Sequence, residues 1–232
     1  MDLKHIDDHL LVVVKPPGLL SQPDHTGDVD VVARGKHELA AAGHEAEFLG
    51  LVHRLDRPAS GIMVLARTSD AARDLSRQFR ERTAEKQYLV MVEGRLGGVG
   101  TWTDYIAKPD RTPTLVAPDD PEGKRAVAQW QALHVADDHT LLRVELKTGR
   151  PHQIRLQASD RGHPVLGDHR YGASTTVGDR AIALHHALLR IEHPGAPRRS
   201  TFTADPPEAW HDHLTPDGRA ALERMLAQAR MT

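Results

Sequence analysis

Cysteine is absent from this chain of 232 residues. Disulfide bonds, zinc–thiolate sites, iron–sulfur clusters and catalysis by a thiol are therefore excluded. Long apolar runs are missing as well, because the run at residues 10–14 is far too short to cross a bilayer. No basic stretch precedes that run, as it would in a secretory signal. The sequence predicts a cytoplasmic protein that does not enter a membrane.

An excess of basic charge is also lacking. The formal net charge is −2 with the 16 histidines counted as neutral, whereas nucleic-acid-binding domains usually have a basic footprint. This total weakly opposes nucleic-acid binding. It does not describe how the charge is distributed, however, and a basic groove can coexist with an acidic opposite face.

Known cofactor-binding and metal-binding motifs are missing too. The chain has no Walker phosphate loop, no Rossmann glycine pattern and no G-x-S-x-G elbow. Histidines occur close together at His185 and His186 and again at His211 and His213. Adjacent residues of a strand face opposite sides, and no spacing typical of metal ligands is present. We expect neither a cofactor nor a metal.

Short apolar runs and turn residues fill most of the chain. Strands are predicted at residues 10–14, 51–55, 62–66, 86–94, 126–135 and 140–149. Helices are predicted at residues 28–42, 69–82, 150–162 and 217–230, and residues 181–194 fit either type. Because these elements do not alternate regularly, they predict an α+β fold with a mixed, largely antiparallel sheet and flanking helices. No linker or repeat divides the chain, so residues 1–232 are predicted to form a single domain.

The segment HRLDRPASG, residues 53–61, connects two of these predicted strands. If Leu55 faces the core, side-chain alternation directs Arg54 and Asp56 together towards a cleft. A carboxylate in such a place can act as a nucleophile or as a base. A solvated ion pair at the surface would explain the same triplet.

Two further sets of residues could bind a ligand. The segment TGRPHQIR, residues 148–155, leads into a predicted helix whose first turn carries Arg150, His152 and Arg155. Arginines and free backbone N–H groups at a helix start suit a phosphate or a carboxylate, although ordinary capping with solvated arginines gives the same pattern. Tyr88, one of three tyrosines, could stack on a base or transfer a proton, or it could belong to the core.

Together these segments resemble the RluA-type family of RNA pseudouridine synthases. The matching segments follow one another in order at residues 12–24, 53–68, 86–94, 146–172 and 184–194. The aspartate-bearing second segment and the long fourth segment are the most specific. The family usually has threonine where this chain has Ala59, which removes one hydroxyl but no ionisable group. Because the first motif begins at about residue 12, the resemblance implies a catalytic domain with a central RNA-binding cleft and without an S4-type domain.

The resemblance implies isomerisation of a uridine in ribosomal or transfer RNA to pseudouridine, without cofactor or metal. Asp56 would be the essential catalytic residue, attacking C1′ to form an ester or removing the C2′ proton to give a glycal. Arg155 would keep Asp56 ionised and oriented. Tyr88 would stack on the uracil and assist loss of the C5 proton.

RNA contacts are expected on both sides of the aspartate motif and in the fourth segment. A uridine in a folded RNA must leave its stack to be reached, and Arg54 would fill or brace the space that the base leaves. The full set of expected RNA-binding residues is Lys15, His53, Arg54, Arg150 and His152. The protein is expected to be a monomer with no obligatory protein partner.

Two other functions remain open from the residues alone. A glycoside or nucleoside hydrolase could use Asp56 as its nucleophile, but it would need a second carboxylate as general acid, which the other motifs do not obviously supply. A non-catalytic RNA-binding or folding factor could use the same scaffold. Such a factor would not need a buried carboxylate that faces a phosphate polymer.

Overall fold

The computed structural model describes residues 1–231, and its regular structure consists mainly of β-strands. The strands are β1 (Asp2–Ile6), β2 (Leu10–Lys15), β3 (Gly50–Leu51), β4 (Ser60–Ala66), β5 (Glu85–Glu93), β6 (Val99–Ala107), β7 (Thr114–Val116), β8 (Lys124–Val135), β9 (His139–Leu146), β10 (Leu184–Glu192) and β11 (Arg199–Thr203). The α-helices are α1 (Val31–Ala41), α2 (Ser69–Glu81), α3 (Gln153–Asp160) and α4 (Pro216–Met231). Short 3₁₀ turns occupy Pro109–Arg111, His169–Tyr171 and Glu208–His213.

Contacts between residues divide the chain into two compact units. The first unit comprises residues 1–86, residues 186–207 and the residues from Ala229 onward. The second unit comprises residues 87–185 and 208–228. The single domain over residues 1–232 stays a prediction, and residue 232 lies outside the described part of the chain.

The first unit is built on strands in the order β1-β2-β4-β10-β11, with β3 also paired to β4. The β2–β4 ladder is antiparallel and runs from Leu10 opposite Ala66 to Lys15 opposite Gly61. Apolar residues dominate both strands, and β4 is buried along its whole length. Leu75 of α2 is fully buried in the same core cluster. The sheet of this unit therefore gives a rigid base to the loop that precedes β4.

The second unit has its strands in the order β5-β9-β8-β6-β7. All four of these pairings are antiparallel. Ile106, Ala126 and Leu156 form a buried cluster against which Tyr171 packs. Leu156 lies on α3, so this cluster fixes the short helix that carries Arg155 onto the sheet of the unit.

The predicted fold class is confirmed as α+β, with a mixed, mostly antiparallel sheet and flanking helices. Residues 181–194, whose pattern fitted two types, contain strand β10. The helix predicted from residue 150 begins only at Gln153, because His152 has a left-handed φ of 54°. None of the described helices has the length and hydropathy that crossing a membrane requires.

Candidate active site

Asp56 lies on the irregular segment that connects β3 to β4 in the first unit. The residue before it, Leu55, is buried. The Ser21 hydroxyl accepts a hydrogen bond from the Leu55 N–H at 3.0 Å and donates one to the Leu55 carbonyl at 2.6 Å. The Ala59 N–H donates to the Asp56 carbonyl at 3.1 Å, which closes a turn behind the aspartate. Hydrogen bonds thus hold the backbone on both sides of Asp56.

The residue after the aspartate, Arg57, is held by the turn that follows β2. The Arg57 carbonyl accepts from the Gly18 N–H at 2.9 Å and from the Lys15 ammonium at 3.0 Å. In return, Arg57 Nε donates to the Gly18 carbonyl at 3.0 Å, and its guanidinium pairs with Asp28. The first motif of the chain therefore acts as a backbone clamp on the aspartate motif.

Lys15 is fully buried, which is unusual for a lysine. Its ammonium donates to the carbonyl oxygens of Pro16, Leu19 and Arg57 at 3.0, 2.8 and 3.0 Å. Burial lowers the pKa of Lys15 to about 7, while the negative charge of Asp56 acts in the opposite direction. The RNA contact that the sequence suggested for Lys15 is incompatible with this burial. Lys15 instead holds the loop together from inside.

The His53 side chain makes its described contacts within the first unit. Its Nε2 accepts a hydrogen bond from the Val64 N–H at 3.0 Å, and its ring stacks on Phe79 with centroids 4.6 Å apart. Burial, together with the charge of Lys86, lowers the pKa of His53 to about 3. His53 is therefore a neutral hydrogen-bond acceptor at physiological pH, and its expected RNA contact stays a prediction.

Arg54, in contrast, is exposed, as an RNA contact needs to be. Its guanidinium donates from Nη1 to the Gln22 side-chain oxygen at 2.9 Å. This hydrogen bond uses only part of the donor fork of an arginine, which has five N–H groups. The RNA contact of Arg54 stays a prediction that the geometry permits.

Arg155 is buried on α3 in the second unit and is paired with Asp168. The pair is bidentate, with Nε and Nη2 donating to the two carboxylate oxygens at 2.6 and 2.8 Å. The Arg155 guanidinium also lies 4.9 Å from the centre of the Tyr171 ring. The side chains of Arg155 and Asp168 are only 5% and 2% exposed. The two parallel hydrogen bonds fix the orientation of the guanidinium. Asp168 was not foreseen, because nothing in the sequence links it to Arg155.

The other predicted residues of the second unit lie on its strands and at the start of α3. Tyr88 is buried on β5 opposite Val144. Arg150 Nε donates to the Arg125 carbonyl at 3.0 Å, and His152 Nδ1 lies 2.7 Å from the Tyr171 hydroxyl. The structure thus gathers Lys15, His53, Arg54 and Asp56 in the first unit and Tyr88, Arg150, His152 and Arg155 in the second.

A cluster of possible metal ligands lies elsewhere in the first unit. Side-chain atoms of His5, Asp7 and His193 come within 4.8 Å of one another. His193 Nδ1 accepts from the Gly195 N–H at 3.1 Å, so a neutral ring keeps its proton on Nε2, which donates to Asp7 at 2.8 Å. That nitrogen has no lone pair to offer a cation. The cluster is a hydrogen-bonded clasp between the β1–β2 and β10–β11 turns.

Comparison with known sequences matches residues 9–160 to the family described as RNA pseudouridylate synthase. The dual-specificity RNA pseudouridine synthase RluA of Escherichia coli strain K12 is 37% identical over 209 residues, which cover 85% of this chain and 90% of that protein. Ribosomal large subunit pseudouridine synthase D of Nitrosomonas europaea is 33% identical over 81% of this chain, and the RNA pseudouridine synthase slr1629 of Synechocystis is 34% identical over 84%. The chain spans 57% and 62% of the length of these last two relatives.

Two solved structures share the fold. Human RNA pseudouridylate synthase domain containing 4 gives a TM-score of 0.75 at 24% identity, covering 95% of this chain and 92% of that one. Human RNA pseudouridylate synthase domain containing 1 gives 0.76 at 22% identity, covering 99% and 94%. The family match over most of the chain and the 37% identity to RluA show that this chain belongs to the RNA pseudouridylate synthase family and, within it, to the RluA type.

Proposed function

We propose that this chain converts a uridine of structured RNA into pseudouridine, with Asp56 as the catalytic residue. The observation that carries the proposal is the clamp around Asp56, in which Ser21 holds Leu55 and Lys15 holds Arg57. The backbone of an otherwise irregular loop is thus fixed on both sides of the carboxylate. Such fixed geometry is what a reacting group needs.

The reaction is an isomerisation and balances without a redox partner. The C1′–N1 bond breaks, the uracil turns, C5 bonds to C1′, and the C5 proton leaves to solvent. An ionised Asp56 can attack C1′ and form an ester, as carboxylates do in retaining glycosidases, or it can take the C2′ proton. The buried Lys15 interacts electrostatically with Asp56.

Tyr88 and Arg155 are proposed to serve the same reaction. Arg155 is a permanently charged group whose orientation is fixed by Asp168, and it suits the role of a cation that opposes the aspartate. Tyr88 offers a flat ring on which uracil can stack and a hydroxyl that can assist departure of the C5 proton. Arg54, Arg150 and His152 are proposed to contact the RNA.

The substrate is proposed to be ribosomal or transfer RNA in the cytoplasm. The names of the relatives refer to the large ribosomal subunit and to dual specificity, which supports testing both RNA classes. The enzyme is proposed to act as a monomer that needs no protein partner, cofactor or metal.

Release of tritium from RNA labelled at uridine C5 tests the proposal directly, because forming the new C–C bond must expel that hydrogen. Ribosomal and transfer RNA transcripts are incubated separately with wild type and with Asp56→Asn. We expect release from at least one RNA by the wild type and none by the variant, with RNA binding nearly unchanged. Free uracil as the product would indicate a hydrolase instead. Binding without release, unaltered by Asp56→Asn, would indicate a non-catalytic RNA-binding factor.

A further inference from the structure

One edge of strand β4 has a break in its ladder beside the aspartate motif. Strand β3 pairs with it only at Gly50 and Leu51, opposite Ala66 and Leu65. After Leu51 the chain leaves the sheet. Its backbone therefore does not pair with Val64, the next residue of β4 whose N–H points to this edge. The Val64 N–H donates instead to the His53 ring at 3.0 Å. A side chain thus takes the place of a strand where residues 52–55 depart.

The His53 ring is held rigidly in this break. It stacks on Phe79 at an angle of 19° and meets the edge of the His186 ring at 81°, with centroids 5.9 Å apart. His186 Nδ1 in turn lies 2.7 Å from the Ile62 carbonyl, on the same edge of β4. Because Nε2 of His53 accepts the Val64 N–H, the neutral ring carries its proton on Nδ1. The two imidazoles together continue the hydrogen bonding of this edge.

Two residues further along, Ser21 does for Leu55 what a neighbouring strand would do. A strand neighbour normally supplies one acceptor and one donor to the same residue. Here a single hydroxyl supplies both, at 3.0 Å to the N–H and 2.6 Å to the carbonyl. Ser21 and Leu55 are both buried, so water cannot replace the hydroxyl without cost.

We propose that Ser21 and His53 are positioning residues for Asp56, an inference that rests on the proposed function. They act through the backbone of residues 53–55 and hold that segment where it leaves the sheet. Asp56 follows Leu55 directly, so any movement of Leu55 moves the reacting carboxylate. A misplacement of about 1 Å can cost on the order of 100-fold in rate. Ser21 would not contact the RNA, because it is buried and its hydroxyl bonds to Leu55.

Replacing the Ser21 hydroxyl tests the first half of the proposal. Single-turnover release of C5 tritium is measured for wild type, Ser21→Ala and Ser21→Thr, with the RNA dissociation constant measured in parallel. We expect Ser21→Ala to lower the rate constant at saturating enzyme by roughly 10- to 100-fold, as a small misplacement does. Ser21→Thr should restore most of it, and the dissociation constant should change less than about threefold in both. Should Ser21→Ala not fold, Ser21→Cys, whose thiol is a weak hydrogen-bonding group, takes its place.

Thr140→Ala is the matched control for lost stability. Thr140 is fully buried in the second unit. Its hydroxyl also accepts from one backbone N–H, that of Leu96 at 2.9 Å, and donates to one carbonyl, that of Gly94 at 2.8 Å. We expect it to lower the melting temperature much as Ser21→Ala does while leaving the rate constant unchanged. Equal rate losses in both variants would overturn the proposal, because the effect would then be one of stability alone.

Two replacements of His53 separate its hydrogen bond from its ring. His53→Phe keeps stacking on Phe79 but cannot accept from Val64, whereas His53→Gln keeps an acceptor but loses the ring. We expect the rate constant to fall about tenfold or more in His53→Phe and less in His53→Gln. A wild-type rate in His53→Phe would overturn this half. If wild type itself releases no tritium, the proposed function fails; if it does and all these variants match it, only the positioning inference fails.

Discussion

The Lys15 ammonium donates a hydrogen bond of 3.0 Å to the carbonyl oxygen of Arg57, although the two residues lie 42 positions apart. The bond joins the end of β2 to the residue that follows Asp56. Pro16 and Leu19 supply two more carbonyl acceptors to the same ammonium. Three acceptors match the three donors of a charged lysine, whereas a neutral amine has only two N–H groups.

Lys15→Met should change how stability depends on pH. The pKa of Lys15 falls from 10.5 to about 7 in the folded protein because of burial. Between these values the unfolded chain binds more protons than the folded one, so the free energy of unfolding rises with pH, by up to about 1.4 kcal/mol per unit. The burial penalty is fully present below pH 7 and disappears towards pH 10.5.

Urea denaturation at several pH values between 7 and 10 measures this slope. The difference between wild type and Lys15→Met should grow in favour of the wild type as the pH rises. Parallel curves would show that the three carbonyls keep Lys15 charged throughout, and the lowered pKa would then be wrong.

Asp168→Asn should destabilise the second unit and slow the reaction. It replaces the carboxylate that Arg155 Nε and Nη2 contact by a neutral amide, and breaking one side of a buried ion pair costs about 3–5 kcal/mol. Because Arg155 loses its fixed orientation, the single-turnover rate should fall as well. Urea unfolding and C5 tritium release measure the two effects.

The exposed pair Arg95–Asp137 is the matched control in the same unit. Asp137→Asn removes the same charge from a carboxylate at the surface, where ion pairs contribute little. It should leave unfolding and rate unchanged. Similar losses in both variants would show that charge, and not the buried geometry of Asp168, is responsible.

The sequence predicts the fold class well because local signals carry it. Apolar runs of strand length and glycine or proline turns mark most strands, whatever their partners. Residues 181–194 were ambiguous because β10 is buried on both faces over most of its length, which removes the alternation that identifies a strand. The helix begins at Gln153 and not at residue 150 because His152 adopts a left-handed φ, which the sequence pattern does not reveal.

The sequence predicts the reactive residue of the candidate site but not the contacts that hold it in place. The sequence singles out Asp56 because the ionisable residues Arg54 and Asp56 lie between two apolar runs. Ser21 was missed because its partner Leu55 is 34 positions away, and a serine after a turn is ordinary. The sequence does not reveal the burial of Lys15, because lysines are almost always at the surface. Long-range pairing, which periodicity does not encode, decides all of these roles.

Asp7→Asn should remove part of the acid sensitivity of the first unit. Although partial burial acts against it, hydrogen bonds from His5, His193 and two backbone N–H groups hold the pKa of Asp7 well below its ordinary value of 3.8. A lowered carboxyl pKa stabilises the fold above the unfolded value, and this contribution is lost as the pH falls below it. Wild type should therefore lose stability more steeply than Asp7→Asn between pH 5 and pH 3.

Asp8→Asn provides the control, because it removes the same charge from the exposed neighbouring residue. Thermal unfolding of the three proteins at matched ionic strength gives the comparison. An acid slope in Asp7→Asn as steep as in wild type and Asp8→Asn would contradict the clasp formed by His5, Asp7 and His193.

Gly61→Ala should be far more damaging than an alanine at another glycine with positive φ. Gly61 has a φ of 120°, and a Cβ there would lie 2.4 Å from the backbone N and O of His186. Those backbone atoms belong to β10 and cannot rotate away as a side chain could.

Gly43, with a φ of 78°, has no atom within 4 Å of the position its Cβ would take. Gly43→Ala should therefore cost only the conformational strain, about 1–2 kcal/mol. Gly61→Ala adds a backbone clash that must separate β4 from β10 and disturb the break in which His53 sits. We expect a melting temperature well below that of Gly43→Ala, or no soluble protein; equal melting temperatures would mean that β4 and β10 do not approach as closely as described.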